Sequence, residues 1–228
     1  MTGNRRYASP PCMAAEVDPA YFDPAGVDRE QVRDVARWRR AERLRLDRQR
    51  EGLGAAGRVR ASERIGAHLA RVLEMRGALR GTVLSGYWPI KGEPDLRPLL
   101  KEMHHAGVRL ALPVVETRAA PLVFRCWTPE TKMTRGAWNI PVPPPEADPL
   151  VPDIALAPCL GWSDGCYRLG WGGGYFDRTL AGLDPRPVTI GISLSIARLP
   201  TIYPQPHDIP LDLIVTEEGL VAERTATS

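Results

Sequence analysis

Arg168-Leu169-Gly170-Trp171-Gly172-Gly173-Gly174-Tyr175-Phe176-Asp177 constrains this chain more than any other stretch. Four glycines fall in five positions, an arginine opens the segment and an aspartate closes it. Upstream, Asp153-Ile154-Ala155-Leu156-Ala157-Pro158 reads as a short buried strand. Downstream, Arg178-Thr179-Leu180-Ala181 reads as the continuation of a helix. Strand, glycine loop and helix is the setting in which a glycine run becomes an anion site. Without Cβ atoms, backbone N–H groups can curl around phosphate oxygens at close range. The following helix adds the positive end of its dipole. Asp177 sits where it could meet a metal bound to those phosphates. The other reading of the same residues is a glycine-rich surface turn with one basic and one acidic end.

Composition narrows the setting. The 228 residues suffice for one large α/β domain or two small ones. Hydrophobic residues at 43% and charged residues at 25% are ordinary for a soluble globular protein. A net charge of +3 argues against a dedicated nucleic-acid binder, although arginines crowd the segment from Arg29 to Arg64. No apolar run is long enough to span a bilayer. The opening Met1-Thr2-Gly3-Asn4-Arg5-Arg6 lacks the apolar core of a secretory signal. Cys12, Cys126, Cys159 and Cys166 form no C-x-x-C pair, and the four histidines show no metal-ligand spacing. Neither a zinc site nor a disulfide scaffold is expected, and a reducing cytoplasm fits.

Residues 1–27 are rich in Pro, Ala and Asp without a period and read as an N-terminal extension, loosely ordered or draped on the surface. Residues 28–228 read as a single α/β domain. Asp28 with Gln31 could cap a helix running to about Arg50. Arg39 and Arg43, four apart, share one of its faces, and most of its other arginines read as a solvated surface. A second helix carries the apolar stripe Ile65, Leu69, Val72 and Leu73, with His68 beside it as a structural residue. Strands are expected at Thr82–Tyr87, Val108–Val115 and Leu122–Trp127, with a helix from Leu96 to Ala106 stopped by Gly107. His104 and His105 then meet the last carbonyls of that helix. A proline-rich linker runs to Pro152. Pro187–Leu194 and Leu211–Thr216 are the remaining strands, the latter the last. Helices alternating with buried strands imply a mainly parallel sheet covered on both faces. In such sheets ligands sit beyond the carboxyl ends of the strands. The loops Trp88–Asp95, Arg168–Asp177 and Pro206–Asp208 all follow strands and could converge there.

The glycine block resembles the signature of the 5-formyltetrahydrofolate cyclo-ligase, or methenyltetrahydrofolate synthetase, family. Trp138-Asn139-Ile140-Pro141, the pattern Tyr87-x-Pro-x-x-Gly-Glu93, and His207-Asp208 followed by Asp212 are similar to further family blocks, in the family's order. The resemblance spans roughly Arg37 to Glu217. It implies a Rossmann-like three-layer α/β/α fold, with Mg2+ as cofactor and ATP as cosubstrate. It also implies the conversion of 5-formyltetrahydrofolate to 5,10-methenyltetrahydrofolate with release of ADP and phosphate. By position, Arg168, Leu169, Gly170, Trp171, Gly172, Gly173, Gly174, Tyr175 and Phe176 would contact ATP, with Arg168 and Tyr175 catalytic. Arg39 stands where the family usually has Lys, and Arg43 matches the Arg one turn later; both would reach the nucleotide. Ile90, Glu93 and Asp95 would grip the pterin end of the folate. Trp138 and the segment Trp171–Tyr175 would touch it too. Asp177 and Asp208 would hold magnesium. Trp171, Gly173, Cys159 and Ser163 depart from the residues more usual in relatives.

The chemistry of the implied reaction suits these residue types. Phosphoryl transfer mainly asks a protein to position reactants and neutralise charge, with backbone amides, arginines and a carboxylate-bound cation. No Ser-His-Asp or Cys-His arrangement is visible, and none is required. The implied partners are ATP and a folate, in a cytoplasmic monomer or homodimer with no nucleic-acid or membrane partner. Two other functions stay open on the sequence. One is a divergent paralogue of the same fold that binds ATP and acts on another small substrate. The other is a non-catalytic RNA-binding or regulatory protein using the arginine helix, whose charge Glu30, Asp34, Glu42 and Asp47 partly balance. For Asp177 and Asp208 a helix cap and an Asx turn are the local alternatives.

Overall fold

The computed structural model describes residues 29–78 and 80–224. The expected extension at 1–27, the cap at Asp28 and Cys12 lie outside the described residues. Two helices open the fold, α1 (Arg29–Gly52) and α2 (Gly54–Met75). Strand β1 (Val83–Ser85), helix α3 (Arg97–His105) and strands β2 (Arg109–Val114) and β3 (Val123–Cys126) follow. Next come β4 (Thr134–Arg135), β5 (Pro141–Val142), β6 (Ile154–Pro158), β7 (Gly161–Trp162) and β8 (Arg168–Leu169). Helix α4 (Tyr175–Gly182) and strands β9 (Val188–Ile192), β10 (Leu213–Thr216) and β11 (Gly219–Glu223) complete it.

The main sheet has the order β11-β10-β9-β6-β1-β2-β3. Neighbours from β10 through β9, β6 and β1 to β2 are parallel, and the outer strands β3 and β11 pair antiparallel. This is the expected mainly parallel α/β sheet. Central strands covered on both faces must be apolar throughout. Accordingly Ile154, Ala155, Leu156 and Ala157 are all buried, as are Ile190, Gly191 and Ile192. Gly191 is a close-approach position: a Cβ there would lie 2.5 Å from the Ile214 side chain of the next strand.

Alternation along the strands sorts the core into two layers. Leu84, Leu110 and Leu112 join the large cluster with Ile65, Leu69, Val72 and Leu73 of α2 and Leu99 and Leu100 of α3. Val83, Ala111 and Phe124 form a second cluster, against which Leu150 and Leu183 pack. Leu183 directly follows α4, so the chain covers the sheet from both sides.

Three expectations need correction. Leu211–Thr216 is not the last strand, because β11 turns back through Glu217-Glu218-Gly219, with Gly219 at φ +123. The glycine loop does not follow β6 directly; the β7–β8 hairpin stands between them, closed by Ser163-Asp164-Gly165-Cys166. The proline-rich segment is not a free linker. Pro141 and Val142 pair with β4, and the Leu150 amide and the Asp148 carbonyl bond to β3.

Candidate active site

Three loops meet through side chains: two follow the parallel strands β1 and β9, and the third follows the β7–β8 hairpin. The loop after β1 carries Glu93, whose Oε1 accepts a hydrogen bond from Trp171 Nε1 at 3.0 Å. The glycine loop after the hairpin is tied to α1, because Arg43 Nε donates to the Gly170 carbonyl at 2.7 Å. The segment between β9 and β10 reaches Asp177, whose Oδ1 accepts the Ile209 amide at 3.3 Å. The expected convergence of Trp88–Asp95, Arg168–Asp177 and Pro206–Asp208 is therefore present.

The glycine loop has the form of an open cup. Leu169 is buried and anchors the segment to Gly161 through the hairpin. Gly172 and Gly173 are exposed. Gly172 adopts φ +101, and Gly174, the residue before α4, adopts φ +63, conformations that L side chains rarely take. The amides of Trp171, Gly172, Gly173 and Gly174 donate no hydrogen bond among the described residues. Carbonyls of the loop are held instead: Gly170 by Arg43 and Gly173 by Arg178. Side chains fix the carbonyls and leave the donors open, as an anion-binding concavity requires. Tyr175 and Phe176 begin α4; Phe176 is buried beneath the guanidinium of Arg168, 5.1 Å from its ring.

The amide of Ile209, next in the chain to Asp208, bonds to Asp177 and ties the two carboxylate-bearing segments together. Asp177 Oδ2 pairs with Arg168 Nη2 at 2.7 Å. Asp208 takes a two-pronged contact from Arg39, with Nη1 to Oδ1 at 3.1 Å and Nη2 to Oδ2. Arg39 is only 9% exposed and also donates to the carbonyls of Ile202 and Tyr203. Burial alone would raise the Asp208 pKa, but the Arg39 bonds and the Gln205 amide outweigh it and hold the carboxyl below its ordinary value. Asp208 thus does act as a turn former toward Gln205, in addition to holding Arg39. Asp177 is not a cap, since Gly174 occupies that position. Arg43 is pushed below its ordinary pKa, first by burial and then by the neighbouring Arg39.

On the folate side of the expected site, Glu93 is buried and accepts the Ile90 amide as well as Trp171. Burial raises its pKa against the pull of those bonds. Lys91 stands 4.2 Å above the Trp171 ring. Ile90 contributes its backbone to this turn. Asp95 has a local task, bonding the Arg97 amide and guanidinium at the start of α3. Trp88 was not singled out as a candidate, yet it lines a cleft of about 440 Å³ with Asp95, Arg97, Lys101, Trp127 and Met133. Trp138 is 68% exposed at φ +54 and meets Tyr175 edge-on, with ring centroids 5.6 Å apart. The two aromatics form a platform beside the cup. Trp171→Phe keeps the ring and deletes one bond to a buried carboxylate, which typically costs about 1.5–3 kcal/mol. With the folate role for Glu93 and Trp171 proposed below, weakening of folate binding by roughly tenfold or more is expected, with the ATP KM unchanged, in steady-state kinetics on both substrates.

Arg50 is the residue that sequence reasoning missed. It is 2% exposed, donates from Nη2 to the Cys159 carbonyl at 2.9 Å, and lies beneath the Gly92–Glu93 turn. The available signal was spacing: Val35, Arg39, Leu46 and Arg50 are the buried positions of α1, a helical stripe in which arginine occurs twice.

The donor set suits a hard divalent cation. Asp177 and Asp208 offer oxygen only, and no group of three or more His, Cys, Asp or Glu side chains that could hold a metal occurs among the described residues. Magnesium fits such a set, because it usually sits on one or two carboxylates, phosphate oxygens and water.

Sheet and loops together place the protein among the α/β proteins that take their ligands beyond the carboxyl ends of parallel strands. The chain matches the model of the 5-formyltetrahydrofolate cyclo-ligase family over residues 35–217. The 5-formyltetrahydrofolate cyclo-ligase of Mycolicibacterium smegmatis is 31% identical over 167 residues, 66% of this chain and 84% of that one. The Aquifex aeolicus 5,10-methenyltetrahydrofolate synthetase structure superposes with a TM-score of 0.70 at 29% identity, covering 83% of this chain and 95% of that one. The Mycoplasma pneumoniae 5,10-methenyltetrahydrofolate synthetase shares the fold, with a TM-score of 0.64 at 23% identity over 78% of this chain and 98% of that one. The chain belongs to the 5-formyltetrahydrofolate cyclo-ligase family and is an enzyme of that kind.

Proposed function

We propose that the chain uses Mg-ATP to convert 5-formyltetrahydrofolate to 5,10-methenyltetrahydrofolate, releasing ADP and phosphate. The observation that carries this reading is the row of unbonded amides at Trp171–Gly174, flanked by Arg43 and Arg168 and set beside Asp177. The amides and the two arginines receive the triphosphate, with Arg39 behind them. Asp177 and Asp208 hold the magnesium ion, which when bound neutralises phosphate charge. Glu93, Trp171, Trp138 and Tyr175 hold the folate.

The formyl carbonyl is a weak electrophile, because the nitrogen lone pair is delocalised into it. Its oxygen attacks the γ-phosphorus and ADP departs. N10 of the folate then attacks the activated carbon and loses its proton. The carbon–oxygen bond breaks, phosphate leaves, and the methenyl bridge is closed. The chain supplies position and charge rather than a nucleophile. Arg168 and Tyr175 stand at the reacting end, at the two limits of the cup.

Two features bear on the alternatives. Arg39, Arg43 and Arg50 turn inward from α1, which removes them from any basic surface for RNA. No helix among the described residues is long and apolar enough to cross a membrane. A cytoplasmic monomer or homodimer accords with this reading.

The direct test is ultraviolet absorption of the methenyl product from purified protein, 5-formyltetrahydrofolate, ATP and magnesium. Absence of product, with ATP still bound, would favour the paralogue acting on another substrate. A companion prediction concerns Arg43→Ala. Loss of one charge-assisted contact of about 1.5–3 kcal/mol raises the ATP KM roughly 10- to 100-fold. The folate KM should move less than about threefold. Equal effects on both would place Arg43 outside the nucleotide site.

A further inference from the structure

We propose that Arg50 is a positioning residue: the internal counter-ion that keeps Glu93 a carboxylate and holds its turn against the substrate. The inference rests on the folate role of Glu93 given above. Three observations carry it. Arg50 is a guanidinium sealed in the core at 2% exposure, with only Nη2 bonded, to the Cys159 carbonyl past β6. Its Nη1 is buried without a hydrogen-bond partner. Its aliphatic stem packs under the Glu93 turn, where a Cβ on Gly92 would stand 3.5 Å from Arg50 Cδ. A buried cation of this kind needs an anion in reach, because desolvation penalises the bare charge.

Glu93 is the foremost of the groups that favour the charged Arg50, ahead of Tyr87, Cys159 and Asp47, the last lying three residues back on α1. Around Glu93 stand Arg50 from α1, Arg58 from α2 against Gly92, Lys91 in the same turn, Tyr87 after β1 and Cys159 after β6. Burial pushes the Cys159 thiol up to about 12 and Tyr87 well above its ordinary value, so both stay neutral near pH 7. Asp95 is engaged by Arg97. Lys91 is exposed and sits over Trp171, so water screens it. Arg50 is therefore the one cation in that group that is fully withdrawn from solvent. Glu93 already accepts from Ile90 and Trp171. An ionised carboxylate has acceptor sites to spare for the N–H edge of a pterin; a protonated one gives one of them up and presents a donor instead.

The test reads the protonation of Glu93 directly. Protein carrying 13C-labelled glutamate is titrated by NMR, with the Glu93 signal assigned by its loss in Glu93→Gln. Arg50→Met should move the Glu93 midpoint upward by about one pH unit or more. Arg50→Gln should do the same, and Arg50→Lys should stay close to the parent. The acidic limb of kcat/KM for 5-formyltetrahydrofolate should move with the midpoint, while the ATP KM stays fixed. Should Arg50→Met fail to fold, Arg50→Gln and Arg50→Lys carry the comparison. An unmoved midpoint in a folded neutral variant overturns the proposal. A moved midpoint with an unmoved kinetic limb keeps the electrostatic coupling of Arg50 to Glu93 and removes Glu93 from the substrate site, which is a failure of the functional reading alone.

Discussion

Asp177→Asn is expected to lower turnover by roughly a thousandfold or more while the protein stays folded. A cation that neutralises transferring phosphate contributes several kcal/mol to the transition state, and about 4 kcal/mol is a thousandfold. The substitution is nearly isosteric. Asparagine retains an oxygen for the Ile209 amide, so the tie between α4 and the β9–β10 segment survives. It loses the ion pair with Arg168, where both side chains are largely buried. That loss costs about 1–3 kcal/mol, seen as a melting point lower by several degrees. Circular dichroism and thermal melts separate this cost from the catalytic one. ATP should bind the variant equally well with and without magnesium, whereas magnesium should strengthen binding to the parent. A variant that keeps a tenth of the parental turnover would remove Asp177 from the metal.

Gly172→Val has the second largest expected effect, through geometry alone. At φ +101 a β-branched residue is strained by about 1–3 kcal/mol. Its Cβ would also stand 3.2 Å from Arg43 Cζ, pressing on the guanidinium that holds the Gly170 carbonyl. The loop relaxes by moving, and the unbonded amides of Trp171–Gly174 are displaced with it. A fall of at least about a hundredfold in kcat/KM for ATP is expected, equivalent to about 2.7 kcal/mol. Gly182→Ala is the matched control. A Cβ there meets nothing within 4 Å at the end of α4, so activity should be unchanged and stability level or slightly higher. Similar losses in both variants would mean that the cup has no special shape.

Much of the sheet was readable because its central strands must be apolar on both faces. Ile154–Ala157 and Val188–Ile192 announce themselves for that reason, and their parallel direction follows from alternation with helices. The β7–β8 hairpin was not readable, since two-residue strands leave no period to detect. Only Asp164-Gly165 hinted at its turn. Strand β11 was hidden behind Glu217 and Glu218, which form the turn before Leu220. The site divides in the same way. The glycine segment and Asp177 stand out as one local block, whereas Asp208 is picked out only by the resemblance of His207-Asp208 to a family block. Asp95 was placed at the folate by position, and the structure shows it anchoring α3 through Arg97. Arg50 was invisible because, in a helix crowded with arginines, composition does not tell a submerged guanidinium from its solvated neighbours. Its place in the stripe Val35, Arg39, Leu46 and Arg50 was the one sequence signal, and the tertiary fold completes it by laying Cys159 and the Glu93 turn over it.

Arg39 finds its partners at Ile202, Tyr203 and Asp208, more than 160 positions further along the chain. During synthesis α1 therefore leaves the ribosome with a cation whose partners arrive only when residues 202–208 have been made. Contacts of such long sequence separation form late, because the intervening chain must first be closed into a loop. The face built by Arg39 and Asp208 is consequently among the last parts of the molecule to mature, and a nascent or truncated chain ending before Asp208 would have its sheet largely begun and that face unfinished.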